Sequence, residues 1–449
     1  MLTVRAGLQV LAFLALTGCV EYTLSPEAIL DPQECQGCHP VHHEQWSGSM
    51  HAYAAEDPVF LAMNRMGQEA TNGELGDFCV NCHAPMAVRL GETEDGLDLD
   101  SVDDSLKGVT CAFCHLIDDV LGDHNAQLSI ADDLLMRGGI ADPLANDAHA
   151  SAYDPGLDRN DLASADVCGT CHDIVTPSGL ELERTYKEWQ GSVFNQDGPA
   201  RLTCGNCHMR GFDGVAAVYP GVEERLLHDH RMVGVDHALT SFPQAADQLE
   251  QIQMELDRTP KAVICVGPTA GGVEITLRLE NITAGHSFPS GAAQDRRLWP
   301  EVTAWSGDEV VFRTGAVPDG VAAAEHLASD PDMWLFRDEL FDAAGNEVHM
   351  FWEAASYESN LLTGPVTTDP TDPAFFHFKE KTWTVLGTIP DRITTRLRLR
   401  PMGLEVIDLL IAAGELDASI REQFVEFDVA GGAIEWAGQV GECEPPLAQ

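Results

Sequence analysis

Ten cysteines in the first half of the chain form five pairs of one spacing, each followed at once by a histidine: Cys35/Cys38/His39, Cys79/Cys82/His83, Cys111/Cys114/His115, Cys168/Cys171/His172 and Cys204/Cys207/His208. Two thiols separated by two residues can add across the two vinyl groups of a haem, and the imidazole on the next residue reaches the iron from the same side. Paired cysteines at this spacing also build zinc sites and redox-active dithiols. Neither use explains a histidine that keeps its register five times over. The motifs predict five covalently attached haem c groups, with the ten cysteines as attachment points and the five histidines as proximal iron ligands.

The opposite side of each iron must be found among the twelve of seventeen histidines outside the motifs. A second imidazole makes the iron six-coordinate and low-spin, suited to electron transfer, whereas an empty position makes a candidate catalytic haem. His51 follows the first motif closely on a short helical stretch. His124 and His149 fall in polar linkers between motifs. His228, His230 and His237 come just past the last motif; two of the three are expected to coordinate, with His230 and His237 preferred. His286 sits in a glycine-flanked turn that either carries it to a haem edge or simply needs it as a turn residue. His42 and His43 stand too near His39 to serve a distant iron, and His326, His349 and His377 read as residues of the C-terminal half. Met63, Met66 and Met209 offer thioethers, for which packing is the simpler role.

Five motifs between Cys35 and His208 leave only about 35 residues per haem, too few for an ordinary apolar core. The porphyrins themselves must be the core of residues 19–245, which are otherwise rich in Gly, Pro, Asp and short helical stretches. Residues 246–259 read as an acidic helical connector. From 260 to 449 the texture changes to alternating or β-branched runs: Ala262–Val266, Val273–Leu279, Val310–Phe312, Val348–Trp352 and Thr395–Leu399. These predict strands of an antiparallel sandwich, interrupted by one helix over 404–424 that Gly414 weakens. The expected fold class is α+β: a mostly helical and irregular multihaem domain followed by a β-sandwich-like domain. A faint repeat links Glu44-Gln45-Trp46-Ser47-Gly48-Ser49 to Lys187-Glu188-Trp189-Gln190-Gly191-Ser192, placing each Trp against a haem or in ordinary packing.

Several stretches resemble the cytochrome c-554/c-prime group of multihaem cytochromes: Gln45-Trp46-Ser47-Gly48-Ser49-Met50-His51, Cys82-His83-Ala84-Pro85-Met86-Ala87, Cys171-His172-Asp173-Ile174-Val175 and Thr203-Cys204-Gly205-Asn206-Cys207-His208-Met209. The segment Ala284-Gly285-His286-Ser287-Phe288-Pro289-Ser290-Gly291 resembles one in larger members, where a β-rich domain follows the haem domain. The resemblance implies an exported electron carrier whose haems are mostly bis-histidine and packed in close pairs. The competing expectation is an oxidoreductase acting on a small nitrogen or sulfur oxyanion at one five-coordinate haem.

Export is also read from the N-terminus, where Arg5 precedes an apolar stretch, Ala6 to Leu16, that is too short to span a bilayer. Leu16-Thr17-Gly18-Cys19 resembles a bacterial lipoprotein box, so residues 1–18 are expected to be a signal peptide and Cys19 a lipidated first residue on the outer membrane or in the periplasm. The remaining cysteines, Cys265 and Cys443, are expected to form a disulfide in that oxidising compartment. A formal charge of −46 excludes nucleic acid as a partner. It favours basic redox proteins, or an acidic surface suited to salt. Of 26 basic residues only five are Lys, and Arg65, Arg89, Arg137, Arg184, Arg210 and Arg225 lie among the motifs, where their forks suit carboxylates or propionates. The run Asp95, Asp98, Asp100, Asp103, Asp104 lacks the Gly and Glu of a calcium loop and reads as solvated.

Overall fold

The structure, a computed structural model, describes residues 23–445. Cys19 and the apolar leader lie outside the described residues. The first half is a succession of short helices and two-stranded ribbons, the longest helix being Pro58–Ala70. Its start is fixed by Asp57, whose carboxylate accepts from the amides of Val59 and Phe60, with Pro58 preset for the first turn. The connector is the helix Ala245–Leu256.

Eight strands of the second half build its two main sheets: β1 (Pro260–Thr269), β2 (Gly272–Asn281), β3 (Arg297–Ser306), β4 (Glu309–Thr314), β5 (Lys379–Leu386), β6 (Arg392–Arg400), β7 (Phe427–Trp436) and β8 (Cys443–Glu444). They form two four-stranded antiparallel sheets, ordered β5-β2-β1-β8 and β4-β3-β6-β7. One apolar cluster draws on both, including Ile264, Val266, Ile275, Leu277 and Trp383 from the first and Leu298, Val302, Ile393, Leu397 and Ile434 from the second. Alternation along β2 explains this: Val273, Ile275, Leu277 and Leu279 are buried while Glu274 is exposed. A smaller three-stranded sheet, 338–359, stands apart.

Two expectations change at this level. Val348–Trp352 is not a strand: pairing stops at Val348 and a 3-10 turn, Phe351–Glu353, follows. The helix begun at Leu404 ends at Ala413, because Gly414 takes a left-handed φ of 83° and caps it, and Ala418–Gln423 is a separate 3-10 turn. That helix packs Val406, Ile407 and Leu410 against Val59 and Ala62 of the long first-half helix, so the two halves share a core. Cys265 and Cys443 are joined by a disulfide that ties β1 to β8 at the end of the described chain.

Candidate haem sites

Each motif folds as roughly one helical turn, which is what brings the histidine beneath its cysteines. The amides of His39, His83 and His172 donate to the carbonyls of Cys35, Cys79 and Cys168, four residues back. For the third and fifth motifs the local signal is a preceding threonine. Thr110 and Thr203 cap the helices Cys111–His115 and Cys204–His208 by accepting from the amides of Phe113 and Asn206. Gly108, at φ 72°, lets the loop before the third motif lie on the helix carrying His51, since a Cβ there would stand 2.6 Å from the carbonyl oxygens of His51 and Ala52. Val109 donates to the His51 carbonyl, 2.8 Å, and accepts from Trp46 Nε1, 2.8 Å.

Two imidazoles that share one metal at about 2.0 Å each, with about 1.1 Å from nitrogen to ring centre, have centroids about 6.2 Å apart. Four motif histidines face a second histidine at this spacing. His39 and His149 are 6.3 Å apart, His172 and His51 6.2 Å, His115 and His230 6.5 Å, and His208 and His286 6.3 Å. His42 also lies 6.2 Å from His39. It sits three residues along the same local helix, however, and cannot reach across a porphyrin whose near side His39 takes.

Hydrogen bonds orient these rings. A carbonyl oxygen only accepts, so an Nδ1 in contact with one carries the proton and leaves the Nε2 lone pair for a metal. His39, His115 and His208 donate from Nδ1 to Ala216, Arg137 and Val233, at 2.7, 2.5 and 2.7 Å. His149, His230 and His286 donate to Ala150, His228 and Ser287, at 3.1, 2.8 and 2.8 Å. Burial holds His51 and His230 down to about 3 and His172 to about 4, keeping the imidazoles neutral as ligation requires. All ten motif thiols are free of disulfides. The four facing pairs surround one cavity of about 1270 Å3, also lined by Trp46 and Trp189 of the faint repeat. Donor set, tautomers, spacing and cavity all fit covalently attached haem.

The second motif differs. Among the described residues no second imidazole faces His83 at the ligand spacing. Its Nδ1 donates to Ala54 O, 3.0 Å, and Phe60 stacks flat on the ring at 4.0 Å. Near Cys79 and Cys82 lies the carboxyl of Glu183, raised by burial and bound by Gln294 Nε2 at 2.9 Å. Glu183 has a left-handed φ of 55°. Asp236 lies near His83 and grips Arg296 with both oxygens, 2.5 and 2.6 Å, while Arg296 also donates to Pro401 O.

The remaining expected ligands stand elsewhere. His124 faces no motif histidine: Nδ1 lies 2.8 Å from Asp123, which also takes Lys187, and Nε2 lies 3.1 Å from Gln127. A polar linker holds it by local pairing. His237 is buried between Phe424 and Phe427, and its Nε2 meets the Gln423 carbonyl, 3.1 Å, and the Val425 amide, 3.4 Å, so the nitrogen it would offer a metal is taken by backbone. Among the arginines, Arg65, Arg137, Arg184, Arg210 and Arg225 are paired with Glu415, Asp133, Asp173, Glu255 and Asp142.

The motifs also touch one another. The helix Cys111–His115 packs on the helix Pro32–Cys35, and the helix Cys204–His208 on Ala163–Gly169. The cysteines Cys35 and Cys111, Cys82 and Cys171, and Cys168 and Cys204 lie near one another. The fourth motif therefore packs on the fifth and lies near the second, and its cysteines are also near Cys114 of the third. This arrangement, with its repeated haem-attachment turns, defines a multihaem c-type cytochrome. Residues 34–116 match the family model for cytochrome c554 and c-prime. The fold is similar to that of a penta-heme cytochrome c552 from Thermochromatium tepidum, at 20% identity and a TM-score of 0.60, over 90% of this chain and 100% of that one. Comparison with curated proteins gives no match. No described helix is long and apolar enough to cross a membrane.

Proposed function

We propose that the protein carries electrons through five covalently bound haems, four of them bis-histidine, between exported redox partners. The observation that carries this reading is the set of four imidazole pairs at 6.2–6.5 Å. Six-coordinate iron exchanges electrons with little rearrangement, and the neighbouring motifs would order the haems as a branched chain: first to third, third to fourth, and fourth to both second and fifth. The paired sheets serve as a sandwich-like domain, residues 260–449, that supplies His286 and braces the haem domain of residues 19–245. Export and a lipid on Cys19 complete the reading. Thr23 and Leu24 donate to the carbonyls of Asp147 and Ala148, beside His149, so the anchor would hold the first haem near the membrane.

A second activity is favoured at one place, because His83 lacks a facing imidazole. An open iron there would bind a small ligand. Arg296, the nearby cation, is already gripped by Asp236 and Pro401 O, which leaves it unavailable to hold an anion. The surroundings suit a neutral ligand better than an oxyanion.

Stopped-flow mixing tests the carrier reading. The fully reduced protein is expected to be oxidised rapidly by a basic soluble redox protein, with a rate that falls steeply as salt rises from about 0.01 to about 0.5 M. Exchange that ignores salt, or sustained nitrite reduction without any protein partner, would contradict it.

A further inference from the structure

The rings expected to hold iron differ in what their Nδ1 meets. Of the nine, seven, His39, His83, His115, His149, His208, His230 and His286, donate to backbone carbonyls, and His172 makes no such bond among the described residues. Nor does His51: its Nδ1 lies 2.7 Å from Sδ of Met232. A thioether is a weak acceptor. An imidazole that donates to a strong acceptor gains basicity and favours ferric iron, whereas one left on sulfur stays a poorer donor and favours ferrous iron. Met232 has a left-handed φ of 48° that a methionine seldom adopts, and it lines the same cavity as His51 and His172.

One other feature acts in the same direction. The guanidinium of Arg89 lies near Cys171. Asp166 near Cys168 opposes it, but its oxygen already accepts from the Tyr186 hydroxyl.

We infer that Met232 is a positioning residue that makes the fourth haem, held by His172 and His51, the most oxidising of the four bis-histidine haems. Because the fourth motif lies beside the fifth and near the second and third, an electron arriving by any branch would come to rest at the junction. The inference depends on His51 and His172 sharing one iron, as proposed above.

Potentiometric titration followed by electron paramagnetic resonance tests it on the full haem-loaded protein. His51→Gly first assigns the signal, because it must remove one low-spin species; if none is lost, the ligand assignment fails and not the role of Met232. In the unaltered protein the assigned signal is expected to vanish first among the four low-spin species on reduction. Met232→Gln, which puts an amide oxygen in reach of Nδ1, should move it to lower potential and leave the other three in place. Met232→Leu, which offers no stronger acceptor, should leave it first. An assigned signal that vanishes later in the unaltered protein overturns the inference, and that measurement requires no variant at position 232 to fold. A Met232→Gln protein with unchanged order overturns it equally.

Discussion

Replacing His286 by Gly is expected to convert one low-spin haem into a high-spin haem that binds carbon monoxide, while the other haems keep their spectra. His286 is the one facing imidazole that comes from the second half of the chain, on the turn after β2. The turn is held from both sides: Asn281 Nδ2 donates to the His286 carbonyl, 2.6 Å, and Glu188 accepts from the Ser287 amide and the Ser290 hydroxyl, 3.0 and 2.8 Å. Gly285 makes this possible at φ 74°, with a Cβ position 3.0 Å from the Phe194 ring. Loss of the ring should raise the potential of the fifth haem by a sizeable part of the roughly 0.8 V that axial ligation spans. Added imidazole should restore the low-spin spectrum. A variant whose spectrum stays wholly low-spin without imidazole would place the ligand of His208 elsewhere.

The second large effect belongs to the disulfide. Cys265 and Cys443 are 178 residues apart in sequence, so their bond closes a long loop around the whole two-sheet half. Restricting the unfolded chain over such a loop stabilises the native state by about 3–5 kcal/mol. In a unit of this size that corresponds to a melting temperature lower by on the order of 10 °C once the bond is removed. Cys265→Ser with Cys443→Ser should show that drop by calorimetry while leaving the haem absorption below the transition unchanged. A shift of less than about 1 °C would mean that β8 is held by its pairing to β1 alone.

What the sequence revealed follows from how local each signal is. A Cys-x-x-Cys-His turn is self-contained, so all five attachment turns were legible. Strand runs such as Val273–Leu279 were legible because alternation encodes one buried face. Strand β3 was not, since Arg297, Pro300 and Glu301 break the pattern although Arg297 is buried against Glu405. Facing histidines are a non-local property. His51 follows the first motif in sequence yet faces the fourth, and His230 was only one of three neighbours until the ribbon ending at His228 placed it opposite His115. His124 and His237 had the same residue type and a plausible position, but the Asp123 carboxylate and the Gln423 carbonyl claim their rings. Met232 carried no sequence signal, because its role depends on a backbone turn that methionine does not announce.

The distribution of iron spin states tests the account most directly. Quantitative electron paramagnetic resonance of the oxidised protein, with carbon monoxide binding to the reduced form, should give four low-spin irons and one high-spin iron per chain, and one carbon monoxide bound. The open iron should survive His51→Gly, His149→Gly and His286→Gly, each of which adds another. Two or more open irons in the unaltered protein would contradict the four imidazole pairs on which the proposed function stands, and five low-spin irons would contradict the open iron at His83.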